Sequence, residues 1–148
     1  MKILHIDTNH PSLIEQLASA GFENHEDYSS SKSDIEQKIN RYDGIVIRSR
    51  FAIDKSFLKK ATKLKFIARV GAGLENIDCN YAKSKNIEVI SSPEGNSNAV
   101  GEHAVGLLLS LLNNINTYSS QVKKGLWYRE ENRGFEIEGK TVAILGMG

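Results

Sequence analysis

The sequence predicts an α/β fold whose centre is an open, mainly parallel β-sheet. From Ile3 to Ile90, short apolar segments typical of buried strands alternate with amphipathic segments of helical periodicity. This alternation is typical of βα units, in which consecutive strands lie parallel and helices connect them. The chain has 148 residues, of which 40% are hydrophobic and 25% charged, so a folded core is expected. Five strand segments make an open sheet of the flavodoxin type the simplest architecture.

The first βα unit has clear boundaries in the sequence. The apolar run from Ile3 to Asp7 predicts a strand, and Pro11 suits the first position of the following helix. Gly21 supplies the end of that helix. The next strand, predicted from Phe22 to Tyr28, is rich in Glu, Asn and His, so we expect it at an edge of the sheet.

A second helix and a buried strand follow. Ser33 and Glu36 have the spacing of a capping box, which predicts a helix that ends near Asn40. The run from Gly44 to Ile47 is short, apolar and rich in β-branched residues. Such a run is typical of a central strand that is covered on both faces.

Two further βα units complete the predicted sheet. Asp54 is expected to cap a third helix, after which a strand runs from Phe66 to Val70. Asp78 is expected to cap a fourth helix, and residues 87–90 form the last strand. The predicted sheet therefore has five strands.

The composition changes after the fifth strand. Residues 91–98 are turn formers without a periodic apolar face, which predicts a hinge between two domains. The next helix, residues 99–116, is apolar on most sides, so we expect a second domain or a second copy to cover it. Residues 140–145 predict a buried strand that leads into Gly146 and Gly148, the first glycines of a dinucleotide-binding turn. We therefore interpret the chain as the N-terminal part of a longer enzyme.

Charge and cysteine content exclude several classes of protein. With 19 basic and 18 acidic residues, the net charge of +1 gives no overall field to attract nucleic acid or a membrane surface. The single cysteine, Cys79, excludes an internal disulfide and fits a reducing compartment. The apolar run at 104–112 is too short to span a bilayer, and the histidines lack metal-ligand spacing. We expect a cytoplasmic protein without a metal site.

Two arginines follow the third strand. Arg48 and Arg50 lie two positions apart, a spacing that on an extended chain directs both side chains the same way. Ligands of open α/β sheets bind at the carboxyl edge, and paired guanidinium groups match the geometry of phosphate or carboxylate. Two solvated charges at the point where the chain leaves the core would give the same pattern, and the residues alone do not decide.

A glycine-flanked turn follows the fourth strand. Gly71 and Gly73 flank Ala72, so consecutive backbone N–H groups can face a ligand carboxylate without an obstructing Cβ. The run is not a dinucleotide fingerprint, because Asn76 stands where a third glycine is needed. An ordinary tight turn is the alternative interpretation.

Five runs of the sequence stand in a fixed order: IVIRSR at 45–50, ARVGAGLENID at 68–78, PEGNSNAVGEHAVGLLLSLL at 93–112, GLWY at 125–128 and GKTVAILGMG at 139–148. Together they resemble the D-2-hydroxyacid dehydrogenase family, and its phosphoglycerate dehydrogenase branch most closely. The resemblance spans nearly the whole chain. The order and spacing of the runs are more specific than any one motif.

The resemblance implies two domains. Residues 1–97 would be a substrate-binding domain that lacks its C-terminal closing segments, and residues 98–148 would carry the hinge, the dimerisation helix and the first strand of an NAD-binding Rossmann domain. A homodimer is expected through the 99–116 helix and the region of Trp127. The implied contacts are Arg48 and Arg50 with a substrate phosphate, Gly71, Ala72 and Gly73 with the substrate carboxylate, Asn98 in the cleft, and Ala72, Gly146 and Gly148 with the cofactor.

The implied activity is oxidation of 3-phosphoglycerate to 3-phosphohydroxypyruvate with NAD, a step toward serine. The catalytic arginine, glutamate and histidine of the family belong after Gly148, so we expect no catalytic residue in the chain and no activity from these 148 residues alone. Glu102 and His103 match the hinge run instead and are interpreted as structural. The alternatives are an erythronate-4-phosphate dehydrogenase of the same family and a non-catalytic binding or dimerisation module.

Overall fold

The structure, a computed structural model, describes residues 1–146. The chain forms two compact units that divide between Asn96 and Ser97. The first unit contains a β-sheet with its helices, and the second contains two helices followed by a segment without regular structure.

Strands and helices alternate through the first unit. The strands are β1 (Lys2–His5), β2 (Glu23–Glu26), β3 (Gly44–Ile47), β4 (Phe66–Arg69) and β5 (Glu88–Ile90). The helices are α1 (Pro11–Ser19), α2 (Lys32–Lys38), α3 (Lys55–Lys60) and α4 (Cys79–Ser84), with single 3-10 turns at Ile39–Arg41 and Pro93–Gly95. The second unit contains α5 (Ser97–Leu112) and α6 (Ile115–Lys123).

The sheet is open and parallel, as the sequence predicts. Its strands lie in the order β2-β1-β3-β4-β5, and every neighbouring pair is parallel. This is the flavodoxin-like order, in which the direction of winding reverses between β1 and β3. The polar strand β2 lies at an edge, where its unpaired side meets solvent, and this confirms its predicted position.

The core lies against β3, whose four residues are all buried. Ile45 pairs with Leu4 on one side and with Ile67 on the other, and all three belong to one apolar cluster. On the opposite face, the Phe66 ring lies over Gly44, where a Cβ atom would come within 2.1 Å of a ring carbon. A larger residue at the start of this strand would therefore have to displace the Phe66 ring.

Helix caps fix the starts of three helices. Asp54 and Asp78 each accept a hydrogen bond from the backbone amide three residues later, at 2.9 Å, which confirms both predicted caps. The predicted box of Ser33 and Glu36 is wrong, because α2 is capped by Ser31 with Asp34 as the reciprocal partner. Both pairs have the capping-box spacing. The helix begins two residues earlier than predicted because Ser31 carries the extended backbone of a cap.

A buried carboxylate ties the start of β1 to the loop before β4. Asp43 accepts a hydrogen bond from the backbone amide of Lys2 at 2.8 Å, and its oxygens lie 3.5 Å from Lys63 Nζ and 3.3 Å from Lys65 Nζ. The amide hydrogen bond, followed by the two ammonium groups, lowers the pKa of Asp43 to about 2 against the opposing effect of desolvation. The folded state therefore favours the ionised form.

Asp43→Asn is expected to destabilise the protein at neutral pH, because the amide hydrogen bond weakens and both ion pairs are lost. The folded-state pKa is lower than the unfolded value of about 3.9, so the contribution is complete above pH ~4 and disappears as the pH falls toward ~2. Urea midpoints of the wild-type protein and the variant should therefore differ at pH 6 and converge in acid. Glu15→Gln, at an exposed carboxylate, is the control, and an unchanging gap would contradict the assignment.

The second unit departs from the sequence prediction at its first helix. The predicted helix 99–116 runs instead from Ser97 to Leu112, and Asn114 adopts a left-handed backbone with φ of 52°. That conformation interrupts the helix and starts α6, which was not predicted. No residue of α5 is buried within the unit. None of the helices between residues 1 and 146 is long and apolar enough to cross a bilayer.

The predicted strand at 140–145 is not formed. Residues 141–146 have no regular secondary structure, and Leu145 is 98% exposed. A strand exists only when its backbone pairs with a neighbour, and no described residue pairs with this segment. Apolar β-branched composition alone therefore gave the wrong prediction. The assignment of the two units to a substrate-binding and a nucleotide-binding domain stays a prediction.

Candidate functional site

A cavity of about 460 Å³ opens at the carboxyl edge of the sheet in the first unit. It is surrounded by the loops that follow β1, β3, β4 and β5, so it includes the point where the winding direction reverses. This is the general position of ligand sites in open α/β sheets. The residues that line it are Asn9, His10, Arg48, Ser49, Arg69, Val70, Gly71, Ser92, Gly95 and Asn96.

The lining of the cavity favours anions. Arg48 and Arg69 both contribute to it, and among the described residues that line it none is Asp or Glu. Arg48 is exposed, and within residues 1–146 its guanidinium forms no hydrogen bond or ion pair. Its five N–H donors are therefore available to a carboxylate or phosphate.

The backbone that carries Arg48 is held by a carboxylate from the loop after β1. Asp7 Oδ2 accepts hydrogen bonds from the amides of Arg48, Ser49 and Arg50, at 2.6, 3.2 and 3.4 Å. Consecutive amides of this kind form an anion-binding nest, and here the chain fills it with its own anion. A ligand anion at this turn must therefore bind side chains rather than the backbone.

Arg50 has different surroundings from Arg48. Its Nη1 donates to the carbonyl oxygens of Ile6 at 2.9 Å and Asp27 at 2.8 Å, and its Nη2 donates to the carbonyl of Ser30. It does not line the cavity. The strand ends at Ile47, so the alternation that predicts parallel side chains does not extend to this position. The predicted contact of Arg50 with a phosphate stays a prediction. A phosphate would have to compete with the three carbonyl oxygens for the N–H donors of the guanidinium.

Gly71 lies in a conformation that other residues avoid. Its φ is 149°, and a Cβ atom there would come within 1.4 Å of Arg69 Nη1, so the glycine makes room for the guanidinium. Its carbonyl accepts a hydrogen bond from the Ser92 amide at 2.9 Å. Arg69 Nε is buried and has no partner among the described residues. Because Nε is closed to solvent, a ligand anion would contact this guanidinium through its Nη groups, which form no hydrogen bond within residues 1–146.

The backbone amides of Gly71, Ala72 and Gly73 donate to no other group of residues 1–146. Ala72 and Gly73 are half-buried and lie beside the cavity lining rather than in it. Consecutive amides of this kind can bind a carboxylate. The Glu75 carboxylate lies against Gly73, where a Cβ atom would come within 2.1 Å of Oε2, so this side chain would have to turn away from a ligand anion. The predicted carboxylate contact of this turn stays a prediction.

The loop after β1 was missed by the sequence analysis. Asn9 and His10 both line the cavity, and Asn9 Nδ2 donates to the Asp7 carbonyl at 2.8 Å. The signal that could have found them is their position, since they follow a buried strand at the same edge as Arg48 and Gly71.

The predicted cofactor residues are Ala72, which lies beside the cavity of the first unit, and Gly146 and Gly148 near the end of the sequence, and their contact with a cofactor stays a prediction. Asn98, predicted in the substrate cleft, lies in the first turn of α5, and Gly146 lies in an exposed segment with no paired strand. Gly148 lies outside the described residues. A dinucleotide-binding turn needs a paired strand before it and a helix after it, so residues 97–146 do not fit an NAD molecule by themselves.

Comparison with known proteins identifies relatives over nearly the whole chain. The family of the D-isomer specific 2-hydroxyacid dehydrogenase catalytic domain matches residues 3–141. The D-3-phosphoglycerate dehydrogenase of Methanocaldococcus jannaschii is 35% identical over 148 residues, which is all of this chain and 28% of that protein. The chain thus spans 28% of the length of that protein and of the D-3-phosphoglycerate dehydrogenase of Archaeoglobus fulgidus, which is 32% identical over 148 residues.

Solved structures share the fold. A glyoxylate reductase from Paecilomyes thermophila superposes with a TM-score of 0.87 at 24% identity, over 100% of this chain and 49% of that one. An NAD+-bound 3-phosphoglycerate dehydrogenase from Entamoeba histolytica superposes with a TM-score of 0.65 at 31% identity, over 76% of this chain and 39% of that one. The similarity to the glyoxylate reductase shows the fold alone. The second structure is a 3-phosphoglycerate dehydrogenase, the same kind of enzyme as the curated relatives found by sequence.

Proposed function

Because the chain belongs to the D-isomer specific 2-hydroxyacid dehydrogenase family, we propose that it is the N-terminal part of an NAD-dependent oxidoreductase whose substrate is D-3-phosphoglycerate. The activity is a property of the whole protein, since the chain spans 28% of the length of its curated relatives. Within that protein, the first unit would bind and orient the substrate.

The observation that carries this proposal is the cavity with two arginines and no lining carboxylate. D-3-phosphoglycerate has a carboxylate at one end and a phosphate at the other, so its site needs two separate groups of donors. Arg48 supplies one group at the end of β3, and Arg69 with the amides of Gly71–Gly73 supplies the other at the end of β4. Donors on neighbouring strands can hold both ends of a three-carbon acid and orient its C2 carbon.

We propose that the phosphate binds at Arg48 and the carboxylate binds at the turn after β4. The Nη groups of Arg69 and the unpaired amides of Gly71–Gly73 are suited to a planar carboxylate, which would replace the Glu75 carboxylate beside Gly73. The paired arrangement of Arg48 with Arg50 is the alternative for the phosphate. NAD would accept the hydride from C2. Ala72, Gly146 and Gly148 would contact the cofactor, and Asn98 would line the substrate cleft. The residues that move the proton would belong to the whole protein, outside these 148 residues.

Steady-state kinetics of the full-length protein test the proposal. The substrates are D-3-phosphoglycerate, D-glycerate, D-lactate and 4-phospho-D-erythronate, each with NAD and with NADP. We expect the highest kcat/KM for D-3-phosphoglycerate with NAD. Higher values for the unphosphorylated acids would reject a phosphate site, and a preference for phosphoerythronate would correct the substrate within the same family.

We also propose that the protein forms a homodimer through the 99–116 region and the region of Trp127. Val100, Val105, Leu107 and Leu111 are exposed on α5, with Leu111 at 75%, and Trp127 is 77% exposed within the second unit. Val100, Leu107 and Leu111 fall on one face of α5 at the helical spacing, and an exposed apolar face of this kind is usually covered in the native assembly.

The full-length protein is therefore expected to sediment with the mass of two chains. Leu107→Glu should shift it toward the monomer, because a carboxylate would be desolvated at the contact. Gln37→Glu, on an exposed position of α2, introduces the same charge in the first unit and should leave the mass unchanged. A wild-type protein that is monomeric at micromolar concentration would contradict the proposal.

A further inference from the structure

His10 lies at the edge of the cavity in a fixed orientation. It is the residue that caps α1, and its Nδ1 accepts a hydrogen bond from the Ser12 backbone amide at 3.3 Å. The Ser12 hydroxyl lies 2.8 Å from the same nitrogen and donates to it. Because Nδ1 is an acceptor in both contacts, the proton of the neutral ring is on Nε2.

The Nε2–H group of His10 has no partner in residues 1–146. The ring is exposed and lines the same cavity as Arg48. Its neighbour Asn9 is tied to the Asp7 carbonyl through Nδ2, while Asn9 Oδ1 is buried without a partner. The loop that carries His10 is thus held to the same residue, Asp7, whose carboxylate holds the backbone of Arg48.

One planar guanidinium cannot approach all three terminal oxygens of a phosphate group. A guanidinium fork can occupy two of the three terminal oxygens, and the third oxygen then needs a donor from another direction. Arg48 and His10 reach the cavity from loops that follow neighbouring strands, β3 and β1. The remaining lining near them consists of neutral groups such as Ser49, so no carboxylate opposes the anion.

We propose that His10 donates its Nε2–H to the distal phosphate of the substrate and, together with Arg48, makes the site specific for a phosphorylated 2-hydroxy acid. This inference rests on the proposed function, and it adds a specificity-determining residue to it. The cap fixes the ring before the substrate binds, so little side-chain entropy is lost in the contact.

The test separates the phosphate contact from the helix cap. His10→Asn keeps a good cap, because an Asn oxygen accepts from the first-turn amides, but it removes the ring donor. In the full-length protein, we expect the ratio of kcat/KM for D-3-phosphoglycerate to that for D-glycerate to fall about tenfold, mainly through KM. The melting temperature should not change. His10→Ala should lower the same ratio and also the melting temperature.

The control is His25→Asn, at a histidine of β2 that contacts Glu23 and Tyr42 and does not line the cavity. It should leave the ratio unchanged. If the wild-type protein does not prefer the phosphorylated acid, the proposed function fails whatever His10 does. If the wild-type protein has the preference and His10→Asn keeps it, or loses activity equally on both acids, the role of His10 is refuted.

Discussion

Arg50→Ala is expected to lower the free energy of unfolding by about 2–4 kcal/mol, the largest stability change we predict for one side chain of the first unit. The guanidinium joins the ends of β1 and β2 and the loop before α2 through the carbonyls of Ile6, Asp27 and Ser30. Truncation leaves three half-buried acceptors without a charged donor. Each hydrogen bond to a charged group contributes about 1.5–3 kcal/mol, and shared bonds are not additive.

Urea unfolding of the full-length protein, combined with amide exchange at 44–47, measures this loss close to the site. Arg48→Ala is the matched control. It also truncates an arginine, two positions before Arg50, but the Arg48 side chain is exposed and has no partner within residues 1–146. It should change the unfolding free energy by less than about 0.5 kcal/mol. An Arg50→Ala protein of wild-type stability that has lost phosphate selectivity would show that Arg50 leaves its carbonyls to bind substrate.

Arg48→Ala is expected to lower kcat/KM for D-3-phosphoglycerate about 100-fold while leaving the fold intact. The change removes the charged donors that we assign to the phosphate, and a loss of about 3 kcal/mol corresponds to a factor near 100. Arg48→Lys should recover only part of the activity, because an ammonium group cannot bind two oxygens as a planar fork.

The readout is kcat/KM for phosphorylated and unphosphorylated acids at two ionic strengths. The selectivity for the phosphorylated acid and its dependence on salt should both diminish in Arg48→Ala. Arg50→Ala should show the opposite behaviour. It should lower the stability of the protein, but the molecules that remain folded should keep their selectivity for the phosphorylated acid. Equal losses on D-glycerate and D-3-phosphoglycerate would place Arg48 at the carboxylate end of the substrate.

The sheet could be predicted from the sequence because its signals are local. The buried run of β3 and the caps at Asp54 and Asp78 depend on a few neighbouring residues, and all three are present. The cap of α2 was placed two residues too late because Ser31 and Ser33 both precede an acidic residue at the required spacing. Where two local signals overlap, the packing of the helix decides between them.

The errors in the second unit have a different origin. Residues 140–145 have the composition of a buried strand, but strand formation depends on a pairing partner that local composition does not reveal. The break at Asn114 depends on a left-handed backbone conformation that Asn tolerates without requiring it. The state of segment 140–145 thus depends on contacts between residues distant in the sequence, and the helix break depends on a small difference in backbone conformational energy at Asn114.

The candidate site was predicted in part. Arg48 and Gly71 were found because each follows a buried strand at the carboxyl edge, and both line the cavity. The partners of Arg50 lie 20 to 44 residues away in the sequence, so no spacing rule could separate it from Arg48. His10 was missed because its role depends on a ring orientation that only the contacts with Ser12 reveal.

The link between Asp7 and the amides of Arg48–Arg50 joins positions 41 to 43 residues apart, and it forms only when β1 and β3 are side by side. Non-local pairing of this kind comes late and slowly when a chain folds, because loop closure precedes any favourable contact. A partly folded chain without it has no cavity in which phosphate could bind. We therefore expect inorganic phosphate to bind and stabilise only the native state, so that it slows unfolding while leaving the refolding rate nearly unchanged.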